Sequence, residues 1–257
     1  MTQHAPHPAP HHVVSRDEWL AARKAHLKNE KALTRLRDLV SAERRALPWT
    51  KVEKNYVFDT TDGKKTLADL FDGRSQLVVY HFMWLWDREL GCPNCSFLAD
   101  HFDGANLHLA HHDVSLVVIT RGPVGKFAPY VKRLGWKFKW ASSYENDFNF
   151  DYHVSFTKDQ LATGAIEYNF ETIDDPQYQN DEMPGVSVFY KEGNGDILHT
   201  YSGYARGLDI LVGAHNFLDL TPKGRNEDQI MDWVRRHDEY EDADPHACCG
   251  SKSASAA

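Results

Sequence analysis

Two cysteines, Cys92 and Cys95, form a Cys-x-x-Cys pair in the stretch HFMWLWDRELGCPNCSFLAD. The pair follows the apolar run QLVVYHF, which predicts a buried strand, and precedes apolar residues at helical spacing. If Cys95 lies in the first helical turn, unsatisfied N–H groups and the helix dipole face the sulfur of Cys92 and stabilise its thiolate. The spacing therefore predicts a redox dithiol, with Cys92 attacking a disulfide and Cys95 resolving it.

Metal binding is a second interpretation of the same pair. A structural zinc ion needs about four ligands, and the other two cysteines, Cys248 and Cys249, lie near the C-terminus. His81 and His101 are the candidates from the region around the pair. A third interpretation is an inert pair, or one that serves only binding. We favour redox chemistry and expect no metal, and no organic cofactor either, since there is no GxGxxG after a strand and no Walker motif.

A proline far downstream, Pro184 in DEMPGVSVFY, opens a predicted strand. Proline cannot donate to a sheet ladder at that point. A cis Met183–Pro184 bond would be a deliberate feature that presents the Met183 backbone beside Cys92, where a substrate chain could pair. An ordinary trans proline at the start of a strand is the alternative, and the residues alone leave both open.

Strands and helices alternate around the cysteines, which predicts an α/β domain with a central sheet. At the N-terminus, Ser15 and Glu18 form a capping-box pattern before a long stretch with helical spacing that Pro48 closes. The predicted organisation is a disordered His/Pro-rich tail (1–14), a helical arm (15–48), the main domain (49–240) with an insertion (about 146–183), and a disordered C-terminal tail (241–257).

Composition limits the classes of partner. The net charge of −8 argues against nucleic acid as the main partner. No apolar run reaches the length of a membrane span, and the N-terminus has no apolar stretch of signal-peptide length. We therefore expect a cytoplasmic protein with no membrane contact, in a compartment where thiols are kept reduced and a Cys-x-x-Cys is catalytic or metal-binding.

The strand, the CPNC at a helix start and MPGVSVFYKEGNGDILHTYSG together resemble the thioredoxin superfamily. More narrowly, GCPNCSFLADHFDG, LADLFDGRSQLVVYHFMW and LDLTPKGRNED resemble a bacterial domain-of-unknown-function family (DUF899-like) of predicted dithiol-disulfide oxidoreductases, over about Val14 to Tyr240. The resemblance implies a thioredoxin-like fold with a central mixed sheet flanked by helices. It also implies that Cys92 and Cys95 are the redox pair and Pro184 the cis-proline.

The sequence departs from ordinary thioredoxin around the cysteines. The loop MWLWDRELG is longer, which suggests an enclosed aromatic site flanked by Trp84 and Trp86, although both tryptophans could equally be core. The substrate is then a disulfide, a peroxide or another small thiol-reactive molecule, with a thiol reductant of unknown identity. A thiol peroxidase would need a cation near the cysteine, and Arg121 is the candidate. Self-association through the N-terminal helix is a further expectation.

Overall fold

The structure is a computed structural model that describes residues 11–174 and 180–240. Most of the predicted N-terminal tail and all of the C-terminal tail lie outside these residues. The strands are β1 (Thr50–Lys51), β2 (Val57–Thr60), β3 (Gly63–Thr66), β4 (Gln76–Phe82), β5 (Trp84–Leu85), β6 (Leu90–Gly91), β7 (Val114–Thr120), β8 (Lys139–Ser142), β9 (Ala165–Tyr168), β10 (Glu171–Asp174), β11 (Gly185–Lys191) and β12 (Ile197–Tyr204). The helices are α1 (Arg16–Arg45), α2 (Leu67–Leu70), α3 (Pro93–Ala99), α4 (Phe102–His111), α5 (Val124–Arg133), α6 (Phe148–Asp151), α7 (Lys158–Ala162) and α8 (Gly213–Leu218).

An eight-stranded mixed sheet runs through the domain in the order β1-β12-β11-β4-β7-β8-β2-β3. Strand β4 is parallel to β7 and antiparallel to β11, which in turn pairs antiparallel with β12. The cysteine helix follows β4, and the Met-Pro segment precedes β11. This βαβ unit followed by an antiparallel hairpin is a thioredoxin-like arrangement, so the predicted fold class is confirmed.

Strand β4 shows why an unbroken apolar run was needed. Its side chains alternate between two cores on opposite faces of the sheet: Leu77 and Val79 lie in one, and Tyr80 and Phe82 in the other. A strand covered on both faces has no solvent-facing side and carries few polar residues. The second of these cores also contains Cys92 and Cys95.

The helix expected after the cysteines is two helices, α3 and α4. The ring of His101 lies at the break, where its Nδ1 is 2.9 Å from the Phe97 carbonyl oxygen and its Nε2 accepts from the Ala214 N–H at 3.0 Å. The final predicted helix is also divided, into a 3₁₀ turn (Ala205–Leu211) and α8, because the buried Val212 has extended backbone.

Helix α1 begins with the predicted capping box of Ser15 and Glu18, and none of its residues is buried. Its contact with the domain includes the guanidinium of Arg44, which lies 4.8 Å from the ring centroid of Tyr201. In residues 11–174 and 180–240, no helix combines the length and the apolar character needed to cross a membrane.

The insertion has more regular structure than its sequence indicated. It contains α6, α7 and the β9–β10 hairpin, and the small core beside it contains Val154, Phe156, Ile166, Tyr168 and Tyr204. A local bridge between Ser155 and Glu182 ties its two ends together. The insertion is therefore packed against the Met-Pro segment rather than attached as a loop.

Candidate active site

Cys92 is the N-cap residue of α3, with an extended backbone (φ −60°, ψ 134°), and Pro93 occupies the first helical position. Its N–H donates to the Met83 carbonyl oxygen at 3.1 Å, which fixes the cysteine next to the end of β4. Proline is well suited to this position because its missing N–H has no partner within the helix in any case.

The loop between β4 and the cysteines forms a short hairpin, β5–β6, in which Trp84 pairs with Gly91. A Cβ atom on Gly91 would lie 2.6 Å from Cε1 of Tyr130 and 2.7 Å from Cε1 of Phe82. Both are ring atoms of buried side chains that cannot move aside easily. The residue before Cys92 must therefore be glycine for the hairpin to close over the aromatic core.

The two thiols differ in exposure and acidity. Cys92 keeps 9% of its surface exposed and Cys95 3%, and both are free thiols. A hydrogen bond from Cys95 is the main factor that lowers the pKa of Cys92 to about 7, against burial, which raises it. Burial, followed by the interaction with Cys92, raises the pKa of Cys95 well above its usual value. Cys92 is thus the thiolate near neutral pH, while Cys95 keeps its proton.

Smaller effects act on the same sulfurs. The backbone N–H groups of Cys95 and Asn94 and the charge of Arg236 lower the pKa of Cys92 further. Since the Cys92 side chain makes no capping hydrogen bond of ordinary geometry, the backbone acts through its dipoles. The Tyr80 hydroxyl and the Met83 backbone favour the ionised form of Cys95, although they do not overcome its burial.

A buried arginine from the C-terminal part of the chain lies against the peptide before Cys92. Arg236 is 6% exposed, and its Nη2 donates to the Gly91 carbonyl oxygen at 2.6 Å. Its Nε donates to the Tyr130 hydroxyl at 2.8 Å, and its Nη1 lies 3.0 Å from both carboxylate oxygens of Glu239.

The Tyr130 hydroxyl continues this network into α3. It lies 2.7 Å from Oγ of Ser96, and the Ser96 hydroxyl donates to the Cys92 carbonyl oxygen at 2.8 Å. Both side chains are buried. The carbonyl groups of Gly91 and Cys92 therefore both accept hydrogen bonds from side chains of one network, formed by Arg236, Tyr130 and Ser96.

A buried carboxyl from the segment before β11 lies against β5, the other strand of the hairpin. Glu182 is 2% exposed, and its Oε2 accepts from the Trp84 N–H at 2.6 Å, while its Oε1 accepts from Nε1 of Trp86 at 3.1 Å. Arg121 lies 3.9 Å away. Burial raises the pKa of Glu182 to about 8, against these donors and the Arg121 charge, which lower it.

Trp84 and Arg121, both predicted near a substrate, occupy different surroundings. Trp84 is 2% exposed and packs edge-on against Phe127 and Tyr130 in the core, which was the alternative left open for it, and its contact with substrate stays a prediction. The Arg121 guanidinium lies over Phe150 at 4.5 Å and faces Glu182. The role of Arg121 beside a substrate stays a prediction, and Arg236 is a cation whose charge lowers the pKa of Cys92.

The Met183–Pro184 bond is trans, so the expectation of a cis-proline is wrong. The Met183 N–H donates to the Val154 carbonyl at 2.9 Å, and the Pro184 carbonyl accepts from the Tyr168 hydroxyl at 2.7 Å. An extended trans bond carries the chain directly from the Ser155–Glu182 bridge into β11. The insertion thus occupies the N–H of Met183, the residue whose backbone was expected to pair with a substrate chain.

The two histidines considered as metal ligands are bonded elsewhere. Nε2 of His81 lies 2.9 Å from Oγ of Ser187, and burial lowers the pKa of His81 to about 3. His101 uses both ring nitrogens at the α3–α4 break. In the part of the chain that the structure describes, no three His, Cys, Asp or Glu side chains are grouped as a metal site would require.

Residues 8–240 match the model of a family described as "Bacterial protein of unknown function (DUF899)". The chain belongs to this family. The match spans α1, the sheet, the cysteine pair and the segment that carries Arg236. Comparison with curated proteins gives no match.

Similarities to solved structures are distant. They include the peroxidoxin BcpB of Mycobacterium tuberculosis (14% identity, 64% of this chain and 92% of that chain, TM-score 0.42). Others are peroxiredoxin Q of Xanthomonas campestris (12%, 66% and 96%, 0.43) and a yeast mitochondrial 1-Cys peroxiredoxin (16%, 67% and 78%, 0.41). The order and directions of the strands define the thioredoxin-like fold of this chain.

Sequence reasoning missed Arg236, Glu182 and Tyr130. Glu182 directly precedes the Met-Pro pair, but an acidic residue in DEMPG has the composition of a surface turn. Arg236 lies in WVRRHDEY, which shows no feature that separates it from its neighbour Arg235. Their contacts with the hairpin cross 98 and 145 positions of the chain, so no local pattern could have revealed them.

Proposed function

We propose that this protein is a thiol-disulfide oxidoreductase in which Cys92 attacks and Cys95 resolves. The difference between the two thiols is the observation that supports it: Cys92 ionises near neutral pH at the edge of the core, whereas Cys95 is buried and protonated. A nucleophilic thiolate beside a thiol held in reserve is the arrangement that disulfide exchange requires.

In the proposed reaction the Cys92 thiolate attacks one sulfur of a substrate disulfide RSSR and expels RS⁻. The Cys95 thiol then loses its proton and attacks the sulfur of Cys92, which forms the Cys92–Cys95 disulfide and releases the second RS⁻. Both thiolates take up protons, so the substrate gains two electrons and two protons. Tyr80 and the Met83 backbone stabilise the Cys95 thiolate as it forms. A thiol reductant in the cytoplasm would restore the dithiol.

Reduction of a small peroxide is the second candidate, and the low exposure of Cys92 favours it over reduction of a large protein. The thiolate would take one oxygen from ROOH to give a sulfenic acid and ROH, and Cys95 would then expel water to form the same disulfide. The half-buried Met183, Pro184 and Arg121 are proposed to border the approach of either substrate.

Trapping with variants that each lack one cysteine of the pair, in a chain that also carries Cys248→Ser and Cys249→Ser, tests the proposal. Cys95→Ser should form a stable mixed disulfide through Cys92 with an aromatic disulfide reagent, and Cys92→Ser should form none through Cys95. The alkylation rate of Cys95→Ser plotted against pH should give an apparent pKa below the free-cysteine value of about 8.5. Equal trapping through either cysteine would contradict the assignment. Parallel turnover of a low-molecular-weight disulfide and of an alkyl hydroperoxide by the wild type separates the two candidate substrates.

A further inference from the structure

The segment Val234–Tyr240 is mostly irregular, yet it is tied to the cysteine helix. Val234 is 3% exposed, and the neighbouring ring of Trp233 packs edge-on against Phe97 of α3 at 5.5 Å between centroids. Arg236 is the buried charge of the segment. Such burial is unusual for arginine unless it is paired and hydrogen-bonded.

Two of the three guanidinium nitrogens of Arg236 hold groups that lead to the backbone around Cys92, while the third pairs with Glu239. One guanidinium nitrogen holds the Gly91 carbonyl, which belongs to the peptide joined to Cys92, at 2.6 Å. A second holds Tyr130, which lies against Ser96 and through it the Cys92 carbonyl. The planar fork of arginine can hold two such acceptors at fixed angles, which a lysine cannot do.

We propose that Arg236 is a positioning residue that couples docking of the segment Val234–Tyr240 to the reactivity of Cys92. This inference rests on the proposed function. The docked segment fixes the peptide before the attacking cysteine and brings a cation toward its sulfur. The other ionisable groups that face Cys92 and Arg236 are Cys95, Tyr80, Tyr130 and Glu239.

Thermodynamic linkage gives the coupling a second consequence. If docking favours the Cys92 thiolate, the thiolate must favour docking by the same factor. Oxidation joins the two sulfurs and removes the negative charge, so the segment should dock less tightly in the disulfide form. The docking of the segment Val234–Tyr240 would then depend on the redox state of Cys92 and Cys95.

Substitution of Arg236 tests the positioning role. Under native conditions, Arg236→Met should slow alkylation of Cys92 at pH 7 by about 3- to 10-fold and move the midpoint of the pH profile upward. Arg236→Lys should recover part of this loss, since it keeps the charge but not the fork. Arg235→Met is the matched control, because within the described residues the exposed guanidinium of Arg235 donates to the carbonyls of Asp232 and Val234 and not to the cysteine helix. Equal profiles for Arg236→Lys and the wild type would overturn the positioning role.

Limited proteolysis of the wild type tests the coupling without a substitution, so it decides the question even if Arg236→Met does not fold. Trypsin should cleave after Arg235 and Arg236 about 3-fold faster in protein oxidised with a diazene reagent, which takes two electrons and two protons from the dithiol, than in reduced protein at pH 8. Cleavage at Arg45 is the internal control and should not change. Equal rates at Arg236 in both redox states would overturn the coupling.

The two proposals fail in different ways. If Cys95→Ser traps no mixed disulfide, the proposed function is wrong whatever Arg236 does. If trapping occurs but Arg236→Met has the same alkylation profile as Arg235→Met, the function stands and the role of Arg236 is wrong.

Discussion

Glu182 and Arg236 hold the two strands of the hairpin before Cys92 from opposite sides. Glu182 accepts from the N–H of Trp84, and Arg236 donates to the carbonyl of Gly91. Trp84 and Gly91 are cross-strand partners, so Glu182 and Arg236 contact the same pair of residues in the hairpin.

The difference between them is in their ion pairs. Arg236 has Glu239 at 3.0 Å, whereas Glu182 faces its cation, Arg121, at 3.9 Å. Burial therefore raises the pKa of Glu182 to about 8, so that it holds its proton at neutral pH. An arginine cannot escape burial by losing its proton. A buried carboxyl group can adjust its charge to its surroundings, while a buried guanidinium must be supplied with partners.

The largest expected effect on stability comes from removing Arg236 together with the segment Val234–Tyr240. A chain that ends at Asp232 should lose on the order of 3–5 kcal/mol of stability, because it loses buried Val234 and leaves Tyr130 and the Gly91 carbonyl without Arg236. A chain that ends at Tyr240 is the control and should keep the wild-type Tm. Urea denaturation measures both. A loss below about 1 kcal/mol would mean that the segment is not part of the folded domain.

The raised pKa of Glu182 should make the free energy of unfolding depend on pH. This folded-state pKa of about 8 lies above the ordinary value of 4.5, so the folded protein binds more protons than the unfolded chain between these values. The contribution of Glu182 to the free energy of unfolding should therefore decrease from pH 5 to pH 8, by an amount on the order of a few kcal/mol. Glu182→Gln should remove this contribution and so change the slope of the free energy of unfolding against pH. Exposed Glu167 provides the control, and Glu167→Gln should keep the slope. An unchanged slope in Glu182→Gln would show that Glu182 is ionised throughout.

A smaller effect is expected when the hydroxyl between Arg236 and α3 is removed. Tyr130→Phe deletes the hydroxyl that accepts from Arg236 and lies against Ser96, which leaves buried polar groups unpaired. We expect a loss of about 1–3 kcal/mol together with slower alkylation of Cys92. Tyr144→Phe, at an exposed tyrosine, is the control and should change neither quantity. If stability falls and alkylation does not, Tyr130 supports the fold without affecting Cys92.

The smallest effect on the stability of the domain is expected in α1, which contributes no buried residue. The exposed side chains of Leu33 and Leu36 can be replaced by lysine at a cost of roughly 0.5 kcal/mol or less. Self-association through this helix stays a prediction. If it is correct, the double variant should be a smaller species than the wild type in sedimentation, with the wild-type rate of alkylation. No change in sedimentation would remove α1 as the interface.

The sequence predicted those features that depend on neighbouring residues. The capping box at Ser15, the apolar run of β4 and the proline after Cys92 each act within a few positions, and the structure contains all three. The residues around Pro184 left both forms of the preceding bond open. The partner of the Met183 N–H was not predictable either, because it is the Val154 carbonyl, in an insertion whose sequence has no clear period.

The sequence by itself determined that two cysteines would lie at the start of a helix after a buried strand, because strand periodicity, helix spacing and the proline position are local. Only the tertiary structure decided how those cysteines differ in acidity and what surrounds them. Burial, the 2.6 Å contact of Arg236 and the 2.6 Å contact of Glu182 arise between segments far apart in the chain. Such contacts depend on how the sheet packs with the helices and loops on its two faces, and no local pattern encodes them.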